Sequence, residues 1–193
     1  RLGKQLGCPL HGDLIRYQRD SQDRLVARLF PDGTSVQFTY TPSGLLATIT
    51  DSRGTTAYDY DSRDRLVSQT NPDGRVISYT YDQAQNVASV TIPSGTISYS
   101  YDALNRLETV EDPLGQLTRY AYDAVGRLRT LELPNSTIEQ RNYDDLGRLT
   151  FLQNSGPEGL ISSFTYQLDA TGRRRSVLED TGRQVQYSYD ESY

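Results

Sequence analysis

The chain has 193 residues, and 35% of them are hydrophobic with Tyr included, against about 45–50% apolar in ordinary globular domains; this argues against a thick two-sided core, while 15 Tyr argue against a disordered polyelectrolyte. The net charge is -5 with both signs interspersed, so no basic face is concentrated enough to hold phosphate backbones, and no nucleic-acid partner is expected. No apolar run approaches the roughly 18–20 residues of a transmembrane segment; one Cys excludes an internal disulfide and one His excludes multi-histidine metal sites, so no metal or cofactor is expected.

The chain contains no Met and is expected to be an excised piece of a longer protein. Residues 1–14 read as a lead-in or capping segment, rich in turn formers (Gly3, Gly7, Pro9, Gly12). Its Cys8 and His11 stand three apart, but two ligands do not make a zinc site, and a thiol–imidazole nucleophile needs an orienting partner. From residue 15 to 193 a period of about 21 residues takes over, giving about eight repeats. Its anchors are Asp20, Thr41, Asp61, Asp82, Asp102, Asp123, Asp144, Asp169 and Asp190, spaced by 21, 20, 21, 20, 21, 21, 25 and 21.

One position before the anchor stand Tyr40, Tyr60, Tyr81, Tyr101, Tyr122, Tyr143 and Tyr189. Three before it stand Tyr17, Phe38, Tyr58, Tyr79, Tyr99, Tyr120, Tyr166 and Tyr187. These columns hold 14 of the 15 Tyr, which makes them part of the scaffold period rather than a local binding cage. Residues two apart on a strand share a face, so each pair places two rings on one side of a sheet. Segments 77–81, 97–101 and 184–189 alternate as half-buried strands should.

Two turns punctuate each repeat. Three positions after the anchor lies Asp23, Gly44, Asp64, Asn105, Gly126, Gly147 or Gly172, with Gln85 the exception. Thirteen after it lies Gly33, Gly54, Gly74, Gly95, Gly115 or Gly182, with Ser136 in one repeat and Gly159 two places late in another. A Pro two residues earlier (Pro31, Pro72, Pro93, Pro113, Pro134, Pro157) predicts a three-residue hairpin loop with a Gly bulge. Between the turns a second strand opens on Arg24-Leu25, Arg65-Leu66, Arg106-Leu107, Arg127-Leu128 or Arg148-Leu149. Packing two Tyr and a Leu does not offset the ordering of some twenty residues, so a repeat is stable only against its neighbours, and the units should form one curling antiparallel sheet.

The segments Y-D-A-L-N-R-L at 101–107, Y-D-A-V-G-R-L at 122–128 and Y-D-D-L-G-R-L at 143–149 resemble the YD repeat of bacterial Rhs proteins, toxin-complex insecticidal proteins and animal teneurins. Departures are Thr41-Pro42, Asn86-Val87 and Arg173-Arg174. The resemblance implies an all-β fold, an antiparallel YD-repeat β-ribbon or solenoid forming an arc of a hollow β-shell. It also implies a structural segment of a large secreted bacterial protein, whose shell encloses and helps deliver a toxin domain. Its partners would then be other repeats of the parent chain and an enclosed toxin polypeptide. The alternatives are a cell-surface adhesion module, whose aromatic rows would stack on carbohydrate, and a self-cleaving shell protein.

Candidate sites are weighed on that frame. Asp61 with Arg65, Asp102 with Arg106, Asp123 with Arg127 and Asp144 with Arg148 recur four apart. A catalytic pair has no reason to appear in every repeat, so these are expected to close turns and cover rings, with no enzymatic role. Asp82, Gly74, Gly95 and Gly115 are likewise structural repeat positions. Asp112-Pro113-Leu114-Gly115 is a partial match to the D-P-x-G feature at which related shells cleave themselves, but it falls in the ordinary turn column. Residues 154–159 are expected to form a protruding loop, and Arg173-Arg174-Arg175 a solvated strand edge. The exposed sheet edges favour edge-to-edge self-association. By the resemblance, the location is secreted or at the cell surface.

Overall fold

The computed structural model describes residues 14–190. The lead-in with Cys8 and His11 therefore lies outside the described residues, apart from Leu14, as do 191–193. Among the described residues there are seventeen strands and no helix. They are β1 (Arg16–Arg19), β2 (Leu25–Leu29), β3 (Ser35–Tyr40), β4 (Leu46–Asp51), β5 (Gly54–Tyr60), β6 (Leu66–Thr70), β7 (Val76–Tyr81), β8 (Val87–Ile92), β9 (Gly95–Tyr101), β10 (Leu107–Glu111), β11 (Leu117–Tyr122), β12 (Leu128–Glu132), β13 (Ile138–Tyr143), β14 (Leu149–Gly156), β15 (Gly159–Leu168), β16 (Arg174–Glu179) and β17 (Gln184–Gln186). The third expected strand, over 184–189, is shorter than its alternation suggests.

The chain divides between Thr96 and Ile97 into two units. In the first, β1 to β8 each pair antiparallel with the next strand in the chain. In the second, β9 to β17 do the same. Within each unit a strand touches only its chain neighbours, so each unit is a single layer. The low apolar content has this consequence: Ala27 and Val177 are the only buried apolar side chains among the described residues. Cohesion runs sideways along the sheet rather than through its thickness.

Both ends of the repeat use one turn. Asp61 N–H donates to Arg65 O at 2.9 Å and Asp64 N–H to Asp61 O at 3.0 Å, leaving three loop residues. At the other end Asn71 N–H donates to Arg75 O at 2.8 Å and Gly74 N–H to Asn71 O at 2.9 Å. The third loop residue is left-handed in both, with φ 60° at Asp64 and 80° at Gly74. Gln85, which breaks the residue pattern, adopts the same conformation with φ 75°, and Ser136 takes the Gly place with φ 62°.

The expectation of a three-residue loop fails at three glycines. Gly54 pairs directly with Asp51, and Gly159 with Gly156, across two-residue turns. Only Pro93 and Ser94 separate β8 from Gly95. The 20-residue spacings fall in the repeats that contain Gly54 and Gly95, so the missing residue is the missing loop residue. The 25-residue repeat is not a protruding loop over 154–159 but a longer hairpin. β14 and β15 run on to a turn of Pro157 and Glu158, with Ile161 bulged out of register.

A second bulge recurs throughout. Tyr60 faces Leu66 while Asp59 faces Ser68, so Val67 is an extra residue. The same happens at Val26, Ala47 and Ala88 in the first unit and at Glu108, Arg129, Thr150 and Arg175 in the second. A bulge bends its strand and increases its twist, so every repeat carries a built-in curl.

Candidate functional site

The feature that most repeats share is a latch at the turn after the Tyr-Asp pair. Asp123 shows it. Its Oδ1 accepts the backbone N–H groups of Val125 at 3.0 Å and Arg127 at 2.9 Å, which holds the loop closed. Its Oδ2 accepts Arg127 Nε–H at 2.6 Å. The guanidinium so oriented lies 4.8 Å over the Tyr143 ring of the next repeat. Arg127 Nη1 also donates to Asp144 O at 2.9 Å. Tyr143 answers by donating its phenol to Leu128 O at 2.8 Å. Five groups from two repeats thus meet in one contact, each satisfying another.

The same set recurs around Asp102. Arg106 Nε–H donates to Asp102 at 2.7 Å, the guanidinium stands 4.6 Å over Tyr122, and Tyr122 donates to Leu107 O at 2.9 Å. Around Asp61, Arg65 donates at 2.8 Å, lies 4.3 Å over Tyr81, and Tyr81 donates to Leu66 O at 2.8 Å. The phenol bond was not anticipated from the sequence. Its signal is there, because the accepting residue stands 14 or 15 positions before its Tyr in every case.

The electrostatics follow the geometry. The Arg65 guanidinium and the two backbone amides lower the Asp61 carboxyl from its usual value to about 2. Asp102 is held low by Arg106 in the same way, and Asp169 by Thr171 and Arg173. Where the residues change, the chemistry does too. Thr41 replaces the carboxylate with a hydroxyl that accepts Leu45 N–H at 3.0 Å, and Leu45 supplies no cation. Asn86 donates Nδ2–H to Asp82 at 3.0 Å in place of a guanidinium. Tyr60, with Leu45 where an Arg would stand, has its phenol pKa raised by burial.

The remaining candidates are placed as follows. Asp112 accepts Leu114 N–H at 2.8 Å and Gln116 N–H at 2.9 Å, the bonds of an ordinary anchor turn. The basic run is not simply a solvated edge: Arg173 binds Asp169 at 2.8 Å and covers Tyr189, and Arg174 lies 4.8 Å over Tyr166. An open hollow of about 490 Å³ lies between the turns after β10 and β12. It holds one opposite-charge pair, Arg119 with Glu132 at 3.6 Å, and no nucleophile beside a base. No group of three metal-ligating side chains occurs among the described residues, and no helix there is long and apolar enough to cross a membrane.

Comparison with known proteins agrees with this geometry. The RHS Repeat family model matches residues 19–56, 60–97, 84–116 and 101–138, more than half of the chain. A crystal structure of TcdB2-TccC3 superposes with a TM-score of 0.69 at 16% identity, over 87% of this chain and 11% of that one. A crystal structure of TcdB2-TccC3-TEV gives 0.65 at 15% identity, over 93% and 12%. A Photorhabdus luminescens Tc holotoxin pore with a mutated TccC3 gives 0.54 at 15% identity, over 87% and 11%. At these identities the likeness establishes the fold, and this chain spans 12% or less of each of those chains. No curated protein matches it.

Proposed function

The chain belongs to the RHS repeat family, and we propose that it is a wall segment of a large secreted bacterial protein, part of a β-shell that encloses a toxin polypeptide and helps deliver it. The latch carries this reading. In each unit a sheet one layer thick is held by contacts that run from repeat to repeat, with Ala27 and Val177 the only buried apolar side chains among the described residues. Such a structure extends by adding repeats and separates two spaces, which suits a wall and not a catalytic centre. The role is mechanical: the wall keeps a polypeptide from proteases until release. The solved structures with this fold include part of a Tc holotoxin pore, which agrees with a toxin setting.

The test uses the full-length protein that carries this segment. Limited proteolysis should leave its enclosed polypeptide intact, and Arg106→Ala with Arg127→Ala should expose it to cleavage. Equal digestion of that polypeptide with and without the substitutions, at the rate of the free polypeptide, would contradict the reading.

A further inference from the structure

Three turns at one end of the second unit hold apolar side chains out to solvent. Leu104, Val125 and Leu146 are 69%, 74% and 75% exposed, and all three belong to that unit. They stand in the turns after β9, β11 and β13, each two residues past its anchor. Consecutive antiparallel pairing puts those turns at the same end of the strands. Successive members of the row are therefore two strands apart, about 9.5 Å. Each is also fixed in place: the backbone N–H of Leu104, Val125 and Leu146 donates to the carboxylate of its own anchor at 2.9, 3.0 and 3.0 Å.

The anchored turn does not itself require an apolar residue there. In the first unit the same position holds Gln22, Ser43, Arg63 and Ala84, and the next such turn of the second unit holds Thr171. The opposite end of the second unit has no matching row. Leu114 is 82% exposed, but Asn135, Glu158 and Thr181 stand in the turns that follow it. The row thus has one counterpart of its own chemistry and spacing, which is itself.

We propose that this row is a contact surface between two copies of the chain, related by a two-fold axis at Val125. The symmetry of the row selects that arrangement. Val125 of one copy meets Val125 of the other, and Leu104 meets Leu146, since the two leucines stand 21 residues to either side of the valine. Asp145, the charged residue of these loops apart from the anchors, falls beside the turn of Leu104, whose Ala103 and Asn105 are uncharged. Three such side chains and the residues beside them cover on the order of 400 Å² per copy, below the roughly 800 Å² of a standard interface, so the pair is weak and concentration-dependent. Turns already held by their anchors lower the ordering cost of that pairing. The contact runs through turns, whereas edge-to-edge association runs through unpaired strand backbone.

Sedimentation velocity on the chain as it stands gives the first reading: the weight-average sedimentation coefficient should rise with concentration. Changing Leu104, Val125 and Leu146 together to Ser should weaken association at least fivefold, and Leu114→Ser should alter it less than twofold. Cross-linking reads the alignment. In a Cys8→Ser background, Val125→Cys should join two copies through a short bis-maleimide. Leu104→Cys and Leu146→Cys should join each other in a mixture far better than either joins itself. If the triple Ser variant does not fold, the single cysteine variants decide. No rise with concentration, unchanged association in the folded triple variant, equal loss from Leu114→Ser, or a Val125→Cys chain that stays single would each overturn the proposal. So would Leu104→Cys joining itself as well as it joins Leu146→Cys.

Discussion

The second unit repeats the Asp–Arg pair of its latch at every anchor from Asp102 to Asp169, although Leu168 stands where the ring facing Arg148 would be, and the first unit does not. Asp102, Asp123, Asp144 and Asp169 each bind an Arg four residues on. Arg106, Arg127 and Arg148 also reach the carbonyl of the next anchor. In the first unit Asp20 and Asp61 bind Arg24 and Arg65, but Thr41 with Leu45 and Asp82 with Asn86 come between and after them. Arg65 Nη1 is buried without the carbonyl that its counterparts find. Yet both units have the same bulges and the same left-handed turns. The backbone form therefore does not depend on the guanidinium, which adds stability and tightness between neighbouring repeats.

Substitutions can break or sharpen this contrast, and the largest expected effect is steric. A Cβ added at Gly74 would meet no neighbouring atom, but Val there would sit at φ 80°, a strain of about 1–2 kcal/mol. Val at Gly147 would carry the same strain, and its Cβ would stand in ordinary contact with Arg127, whose Nη1 lies 3.7 Å away, so that its two methyls compete with the latch for room. Urea unfolding should show Gly147→Val as the more damaging. Equal losses would mean that the latch resists nothing.

Next comes transfer of the latch. Arg127→Met should cost about 1 kcal/mol through loss of the ring contact and the charge-assisted bonds. The double change Thr41→Asp with Leu45→Arg should raise the melting temperature by installing the pair in the first unit. A smaller effect separates the aromatic columns. Tyr122→Phe removes the bond to Leu107 O and should cost about 1 kcal/mol, whereas Tyr120→Phe, which removes an unbonded phenol, should cost close to nothing.

The smallest effect is that of pH. Asp61 is lowered from 3.8 to about 2, so its folded form is the weaker proton binder. Its stabilisation is present in full above the unfolded value and is lost as pH falls from 4 through 2. Thermal melts between pH 6 and 2 should decline over that window, and Arg65→Met should flatten the decline.

Much of this was legible in the amino-acid order because repetition averages out local ambiguity. The Tyr columns, the Arg-Leu strand starts and the turns emerge from one period. The loop lengths were misread at Gly54, Gly95 and Gly159, because Gly and Pro alone pointed to one turn type, while the 20-residue spacings carried the missing residue at the first two. The bulge at Val67 was not, because it is a property of register between two strands and leaves no residue signature: Ala47, Glu108 and Arg129 occupy the same place. The division of labour between Tyr58 and Tyr60 was hidden for a related reason. Both are strand tyrosines on one face, and only the partner strand decides which phenol finds a carbonyl.

Native-state hydrogen exchange on Arg127→Met is the most direct test of whether neighbouring repeats hold one another. The amides that close the turns at Asp102, Asp123 and Asp144 should all lose protection, although only the middle one belongs to the altered repeat. Loss confined to the turn of Asp123, with its neighbours exchanging as before, would contradict it.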